Sequence, residues 1–380
     1  MGNNLNCQTA LILNVGSSTV KAALFRFGAL SVSGDSKQIE PESHITELWR
    51  KKYETPLTQS GSSRLHLVLD DLIKSTGHPL SSRSEIDLVV HRIVHGGSNF
   101  LRTTTITSGI LEQLERLNPL APLHNPPAME LIQSCLLEFP QSCPQLAVFD
   151  TAFYCELPRT STELPLPKSW RESGIRKFGF HGINHQYLTE TAAKLLNTPL
   201  EKLSLISCHL GNGCSVTAIR QGKPVETSMS FTPLDGLVMG SRCGAIDPGI
   251  LLWQLKNGLS VAQIEDALNK QSGLLGVSCL SSDMRTVKQA ATSGNSEAQL
   301  AREIFIHRLC FYISGYRSYL EDLDAIVFSG GIGENDEELR LEVGRRVSYL
   351  GAKQLVIPAD EETQMAIEAA RLLDTSIRGG

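Results

Sequence analysis

Short runs of aliphatic and β-branched residues alternate along this chain with longer amphipathic stretches, a pattern that predicts an α/β fold. Strands are expected at Ala10–Val15, Leu88–Val90, Ala147–Phe149, Leu205–His209, Ser215–Ile219 and Ala325–Ser329, several of them ending at glycine or a polar residue. Helices are expected at Gly109–Leu117, Ala128–Leu137, Asn184–Leu196, Ser260–Lys270 and Ala298–Tyr319. A last helix, Glu361–Leu373, keeps Met365, Ile367, Ala369 and Leu372 on a loose helical period. Ser31–Ser43 and the proline-bearing Leu157–Ser173 read as surface loops. No short tandem repeat is present, but Asn14–Lys21 and His209–Ser215 are both polar, glycine-bearing turns between strand-like runs, half a chain apart. A duplicated unit would produce that echo, and so would two unrelated turns.

Six segments carry distinctive chemistry. Asn14–Lys21 sets glycine and small hydroxyls before a lysine, either an anion cradle or a plain hairpin turn, and it lacks the G-x-x-x-x-G-K-[ST] of a P-loop. In His91–Gly97, Arg92 stands between imidazoles at a strand end, where open α/β sheets gather ligands. Its planar fork suits a carboxylate or phosphate, while a salt bridge beside backbone-satisfied histidines is the competing reading. Asp150 closes an apolar strand and serves a metal, a proton or simply a helix cap. His181 and His185 are four apart, but without H-E-x-x-H they suit a helix start facing an anion better than zinc.

Ser230–Pro248 is too rich in glycine for a regular helix and too apolar for disorder, and such a buried loop must satisfy its own backbone. Within it Arg242 reads as a cation delivered among small residues. Asp324–Asn335 runs an apolar strand into glycines that open a helix, a plan for seating a nucleotide, without the Rossmann G-x-G-x-x-G. Together these segments point to phosphoryl transfer on a duplicated ATP fold that uses no P-loop.

Composition narrows the picture. At roughly 150 residues per domain, 380 residues suggest two. Lys+Arg 35 against Asp+Glu 40 gives a net charge of −5, which excludes a chain-wide basic footprint for nucleic acid or anionic membrane but not a local basic pocket. Mean hydropathy is −0.07, and the longest apolar stretch, Leu203–Ile219, contains His209, Asn212 and two glycines and reads as strand, turn and strand rather than a span. The first residues lack the basic region of a secretory signal, and Asn6 stands where a myristoylation signal wants Ser or Thr. Nine scattered cysteines without any C-x-x-C suit a reducing compartment, so a cytoplasmic address is expected.

Read end to end, the sequence resembles the acetate kinase family. The resemblance rests on Asn14–Lys21, His91–Gly97, Leu120–Pro126 (LAPLHNP), Val148–Phe153, Gly179–His185, Ser207–Ser215 and Thr227–Pro248. Ser272–Arg285 (SGLLGVSCLSSDMR), Asp324–Asn335 and Val356–Glu362 (VIPADEE) complete it. It implies an α/β protein of two ribonuclease-H-like domains, a duplicated actin-like ATPase fold with an active cleft between them. Domain bounds are expected at 1–149 plus 364–380, the C-terminal helix returning to the first domain, and at 150–363. The implied reaction is reversible transfer of phosphate from ATP to acetate, giving acetyl phosphate and ADP with Mg²⁺, or Mn²⁺ as the alternative ion. A homodimer is implied too.

Carried over by position, the resemblance gives Asn14 and Glu361 to the metal and Lys21 to ATP. The nucleotide loops are His209, Leu210, Gly211, Asn212 and Gly213; Asp283, Met284 and Arg285; and Gly331, Ile332, Gly333, Glu334 and Asn335. Arg92 is the acyl-carboxylate ligand and Asp150 the essential acid, expected to order the metal and its water rather than to take a proton. His181 and Arg242 stabilise the transition state, and Val94, Leu123, Phe180 and Pro233 line the acyl pocket. The chain departs from the family pattern at Ala245 (usually Asp), Cys243 and Thr19 (usually Ser) and Tyr154 (commonly His). Competing readings are a propionate or butyrate kinase, a non-catalytic ATP-binding relative, and an ATPase transferring to water.

Overall fold

The computed structural model describes residues 8–16, 19–28, 44–54, 59–74 and 79–378; the expected loop Ser31–Ser43, Cys7 and Ser17–Ser18 lie outside them. Contacts divide the chain into two compact units, residues 1–152 with 360–380, and residues 153–359. These bounds differ by a few residues from those drawn on the sequence and place Asp150 and Glu361 in the first unit.

The first unit is built on β1 (Gln8–Val15), β2 (Thr19–Phe27), β3 (Ile45–Glu54), β4 (Leu88–Ile93), β5 (Thr104–Thr105) and β6 (Gln145–Phe149), in the order β3-β2-β1-β4-β6-β5. β1, β4 and β6 run parallel, while β2 pairs antiparallel with β1 and with β3. β1 reads as a continuous apolar run because both its faces are covered. Leu11, Leu13 and Val15 meet Leu65, Val68, Leu69 and Leu72 of helix Gly61–Lys74 and Leu131 and Cys135 of helix Asn125–Glu138. The two-residue period turns Ala10, Ile12 and Asn14 to the other face, and the C-terminal helix, Glu361–Arg378, packs on this sheet with Met365, Ala366 and Ala369 buried.

The second unit repeats the plan. β7 (Ser204–Leu210), β8 (Cys214–Arg220), β9 (Lys223–Thr227), β10 (Ala325–Ser329) and β11 (Lys353–Val356) lie in the order β11-β10-β7-β8-β9. β7, β10 and β11 are parallel, and β8 is antiparallel to β7 and β9. In each sheet a three-strand meander is followed by parallel strands beside its first member, so the echo between Asn14–Lys21 and His209–Ser215 marks the first hairpin of two equivalent sheets. Helix Gly182–Leu196 packs on β7 and β10, with Leu188 and Ala192 against Leu205, Ile219, Ala325 and Val327.

Every expected strand and helix is present within a few residues of its bounds. Leu157–Ser173 is the exception among the described loops, since it holds the short helices Arg159–Thr162 and Lys168–Glu172, each starting after a proline whose fixed φ suits a helix entry. β3 escapes the apolar pattern because it is a sheet edge carrying Arg50, Lys51 and Lys52, charges that blunt edge pairing. Ser230–Pro248 forms no helix or strand, and its backbone is tied to its neighbours: Gly240 N–H donates to Asn212 O, Ala245 N–H to Gly236 O and Leu274 N–H to Met239 O.

Candidate functional site

In the first unit, functional side chains gather where three parallel strands end. Asn14 is the penultimate residue of β1, Arg92 that of β4, and Asp150 follows β6 directly. Asn14 and Arg92 project on one face of neighbouring strands, the face taken by the C-terminal helix, whose first residue is Glu361. Arg92 donates from Nε and Nη2 to the two oxygens of Asp150 (3.1 and 2.7 Å), and from Nη1 to Asn14 Oδ1 (3.0 Å) and Glu361 Oε2 (3.1 Å). Four of its five N–H groups are thus engaged within the unit. Asn14 Nδ2 donates to Glu361 Oε2 (2.8 Å) and Glu362 Oε1 (2.5 Å).

Burial opposes the charge on Arg92, but Asp150 and Glu361 outweigh it and hold the guanidinium protonated well above its ordinary range. Burial also pushes the Glu362 carboxyl up, partly offset by Lys21. Lys21 Nζ lies 3.9 Å from both Glu361 and Glu362 and is partly exposed, a loose pair open to another anion. Arg50 braces the start of the helix by pairing with Asp360 and Glu362. The surrounding backbone is locked by Asn125, whose amide pairs reciprocally with His95, and by Thr151, which accepts from Gly96 N–H. His91 Nε2 donates to Gln145 Oε1, and His95 Nδ1 accepts from Gly97 N–H, so both imidazoles flanking Arg92 serve the local structure.

The donors here are carboxylates and an amide, hard oxygen ligands that suit Mg²⁺, an ion usually held by one or two carboxylates together with substrate phosphates. Among the described residues no three His, Cys, Asp or Glu side chains converge as a protein-only cage. Asn14 and Glu361 fit such a shared ion in donor type.

The second unit gathers different chemistry at the same end of its sheet. The alternation along β7 turns Ser207 and His209 toward helix Gly182–Leu196, whose first turn presents Asn184 and His185. Asn184 Nδ2 lies 2.8 Å from His209 Nδ1, and His185 reaches Ser207 and Ser215, each at 2.7 Å. His181 precedes the helix in a left-handed conformation, φ 58°. Its Nδ1 lies 2.9 Å from Ser215 Oγ, and its ring stacks on His209 with centroids 4.2 Å apart. Burial holds His185 neutral, its pKa drawn far below the ordinary imidazole value and lowered further by His209.

Arg242 comes to this group through Gly213. A carbon added at Gly213 would lie 3.3 Å from the His181 ring and 3.6 Å from Arg242 Nη1, so both side chains border that one glycine. Arg242 donates to Pro233 O (3.2 Å) and rests on Met239 Sδ, and among the described residues no carboxylate pairs with it. Burial therefore lowers its pKa from the ordinary arginine value. Gly240 is tight against Asn212 and Ser282 O, and Gly330 (φ 78°) against Leu210 O, so the turns at 210–213, 239–242, 282–283 and 330 meet on one side of the unit.

Glu334 closes the last of these turns by accepting from Gly330 and Ala359 N–H, and Asn335 donates to Gly331 O. Asp283 caps helix Met284–Thr292 and holds the exposed Arg285, while Met284 is buried. Gly331 opens to space.

The acetokinase family model matches residues 9–370. This chain belongs to the acetokinase family. It is 44% identical over 357 residues to an acetate kinase of Synechococcus sp. (strain JA-2-3B'a(2-13)), covering 90% of this chain and 87% of the relative. In structure it is similar to the acetate kinase of Porphyromonas gingivalis, TM-score 0.81 at 30% identity, with 96% of this chain and all of that one covered. It is also similar to a propionate kinase from Francisella tularensis subsp. tularensis SCHU S4, TM-score 0.80 at 37% identity, covering 95% and 98%.

The acetokinase positions divide between the units. Asn14, Lys21, Arg92, Val94, Leu123, Asp150 and Glu361 lie in the first; Phe180, His181, Pro233, Arg242 and the nucleotide loops lie in the second. Within the first, Asn14, Arg92, Asp150 and Glu361 meet directly; within the second, His181, His209, Gly213, Pro233 and Arg242 do. Sequence reasoning gave no role to Glu362, Asn184, Ser207 or Ser215. The last two had a signal, since Ser207, His209 and Ser215 are polar positions at strand spacing inside otherwise apolar runs.

Proposed function

We propose that this acetokinase transfers the terminal phosphoryl group of ATP to acetate, forming acetyl phosphate and ADP, by direct and reversible in-line displacement. An acetate oxygen bonds to the γ-phosphorus as the bond to the ADP oxygen breaks. The nucleophile is already ionised near neutrality, so no base is needed, and the grip of Asp150 on Arg92 supports an orienting rather than proton-abstracting role for that acid. The observation that carries the reading is Arg242, a part-buried guanidinium with no carboxylate beside it among the described residues, bordering the same glycine as His181. A cation left in that state suits charge that appears only during transfer.

Arg92 serves the acyl carboxylate, with Val94, Leu123, Phe180 and Pro233 for its methyl group; Lys21 and the loops at 209–213, 283–285 and 331–335 serve ATP. Asn14 and Glu361 would hold Mg²⁺, or Mn²⁺ in its place, which supplies neutralising charge to the phosphate oxygens. Trapping with hydroxylamine tests the reading: hydroxamate should form in step with ADP, with the highest kcat/KM for acetate over propionate and butyrate. ADP released without hydroxamate, or at a rate indifferent to carboxylate, overturns it. A higher kcat/KM for propionate moves the chain to the specificity named for the Francisella tularensis neighbour.

The proposal includes a cytoplasmic homodimer. No helix among the described residues is long and apolar enough to cross a membrane. Helix Gly249–Lys256 buries none of its residues and exposes Ile250, Leu252, Trp253 and Leu255, apolar surface that a second copy would cover. Light scattering should give twice the monomer mass, and Trp253→Glu should halve it.

A further inference from the structure

Tyr154 is buried, 1% exposed. Its ring lies over Gly179, where an added side-chain carbon would fall 2.5 Å from Tyr154 Cδ2. Its hydroxyl is 3.0 Å from Phe180 O and 2.9 Å from Thr217 Oγ1, which is itself 3.1 Å from Thr227 Oγ1. A carbonyl oxygen only accepts, so Tyr154 donates to Phe180 and Thr217 donates to Tyr154, while the single Thr227 proton lies between Thr217 Oγ1 and Val216 O, 3.4 Å away. The Thr217 and Tyr154 protons run one way, and the row ends on the Phe180 carbonyl.

That carbonyl belongs to the peptide whose nitrogen is His181's. With helix Gly182–Leu196 holding the chain beyond His181, turning this peptide plane would change the φ of His181, whose 58° is a left-handed value that residues with a β-carbon keep only when their surroundings impose it. We propose that Tyr154 is a positioning residue that holds His181 in this conformation, ring beside Gly213 and Arg242. The proposal rests on the reading of His181 as a group that meets phosphoryl charge.

Tyr154→Phe removes only the hydroxyl. It should lower kcat about 10-fold, the factor for one buried hydrogen bond, with KM for acetate and ATP within about two-fold of the parent. Thr217→Val, which removes the donor to Tyr154, should move kcat the same way by less. In a His181→Ala background, Tyr154→Phe should lower kcat no further. Unchanged kcat in Tyr154→Phe, an effect on KM alone, or multiplication with His181→Ala overturns the positioning role while leaving the function intact. A His181→Ala protein with parental kcat overturns the reading of His181 and the proposal with it.

Discussion

Arg92 and Arg242 are the two arginines that the sequence sets apart, and their surroundings are opposite. Arg92 sits at the end of a parallel strand with Asp150 across two of its nitrogens and Glu361 and Asn14 on a third. Arg242 sits in an irregular loop among glycines with a carbonyl, a thioether and no acid among the described residues. A guanidinium ringed by carboxylates is held in place before any substrate arrives, and its charge is largely answered. One without a carboxylate keeps its charge for a ligand, at a cost in desolvation that the free protein bears. The first therefore orients, and the second responds to charge that develops.

The contrast predicts that the two arginines fail differently. Arg242→Ala should lower kcat by about 10³–10⁵, the range for arginines that stabilise phosphoryl transfer, with the thermal midpoint unchanged or raised because a desolvated charge is gone. Steady-state kinetics and a melting curve on the same preparation check both halves. A marked fall in melting temperature would show that Arg242 is structural.

Arg92→Ala should also lose activity, but it takes the guanidinium from the buried Asp150 and leaves Glu361 with the looser Lys21 at 3.9 Å. The expected loss of stability is about 3–5 kcal/mol, read from denaturant midpoints. Arg92→Ala combined with Asp150→Ala should lose less than the sum of the single losses, because the pair fails together. Additive losses would mean that the salt bridge holds little.

How much of this was legible in the sequence follows from what each arrangement needs. The first sheet's cluster was readable because each member closes a strand: Asn14, Arg92 and Asp150 end apolar runs, and the end of a parallel strand is fixed by the same pattern that marks the strand. The sequence leaves a salt bridge at Arg92 as an alternative with no partner named, since strand ends do not say which neighbours touch. The second cluster depends on loops. That Gly213 borders both His181 and Arg242 follows from a turn, an irregular loop and a left-handed residue meeting in space, and no local periodicity encodes that meeting. Edge strand β3 was hidden by its own charges.

The histidines extend the comparison to acid. His91, beside Arg92 in the first sheet, is buried against Gln145, and burial draws its pKa down to about 4 from 6.5. The unfolded chain takes up this proton at a higher pH than the folded one. The contribution is therefore complete above about pH 6.5 and is lost as the pH falls toward about 4, amounting to about 3 kcal/mol over that window. Urea midpoints at pH 7, 5.5 and 4.5 should fall more steeply for the parent than for His91→Gln. Equal slopes would place the acid sensitivity elsewhere, with His185 of the second unit, also held neutral by burial, the next group to replace.

The smallest effect is expected at the surface of the second unit, where it separates a ligand contact from a structural one. Arg285 pairs with Asp283 through a well-directed contact, but its side chain is 89% exposed, so the pair is screened by water and contributes little to folding. Asp283 has a second task, since its carboxylate accepts from Arg285 N–H and caps helix Met284–Thr292. Arg285→Ala leaves that cap in place and should not move the melting temperature. If Arg285 also meets ATP, the substitution raises KM for ATP a few-fold and leaves KM for acetate and kcat unchanged, the mark of binding shared by ground and transition states. An unchanged KM for ATP would remove Arg285 from the nucleotide contacts, and a fall in kcat would give it a part in the transfer that an exposed, acid-paired guanidinium, unlike Arg242, is poorly placed to play.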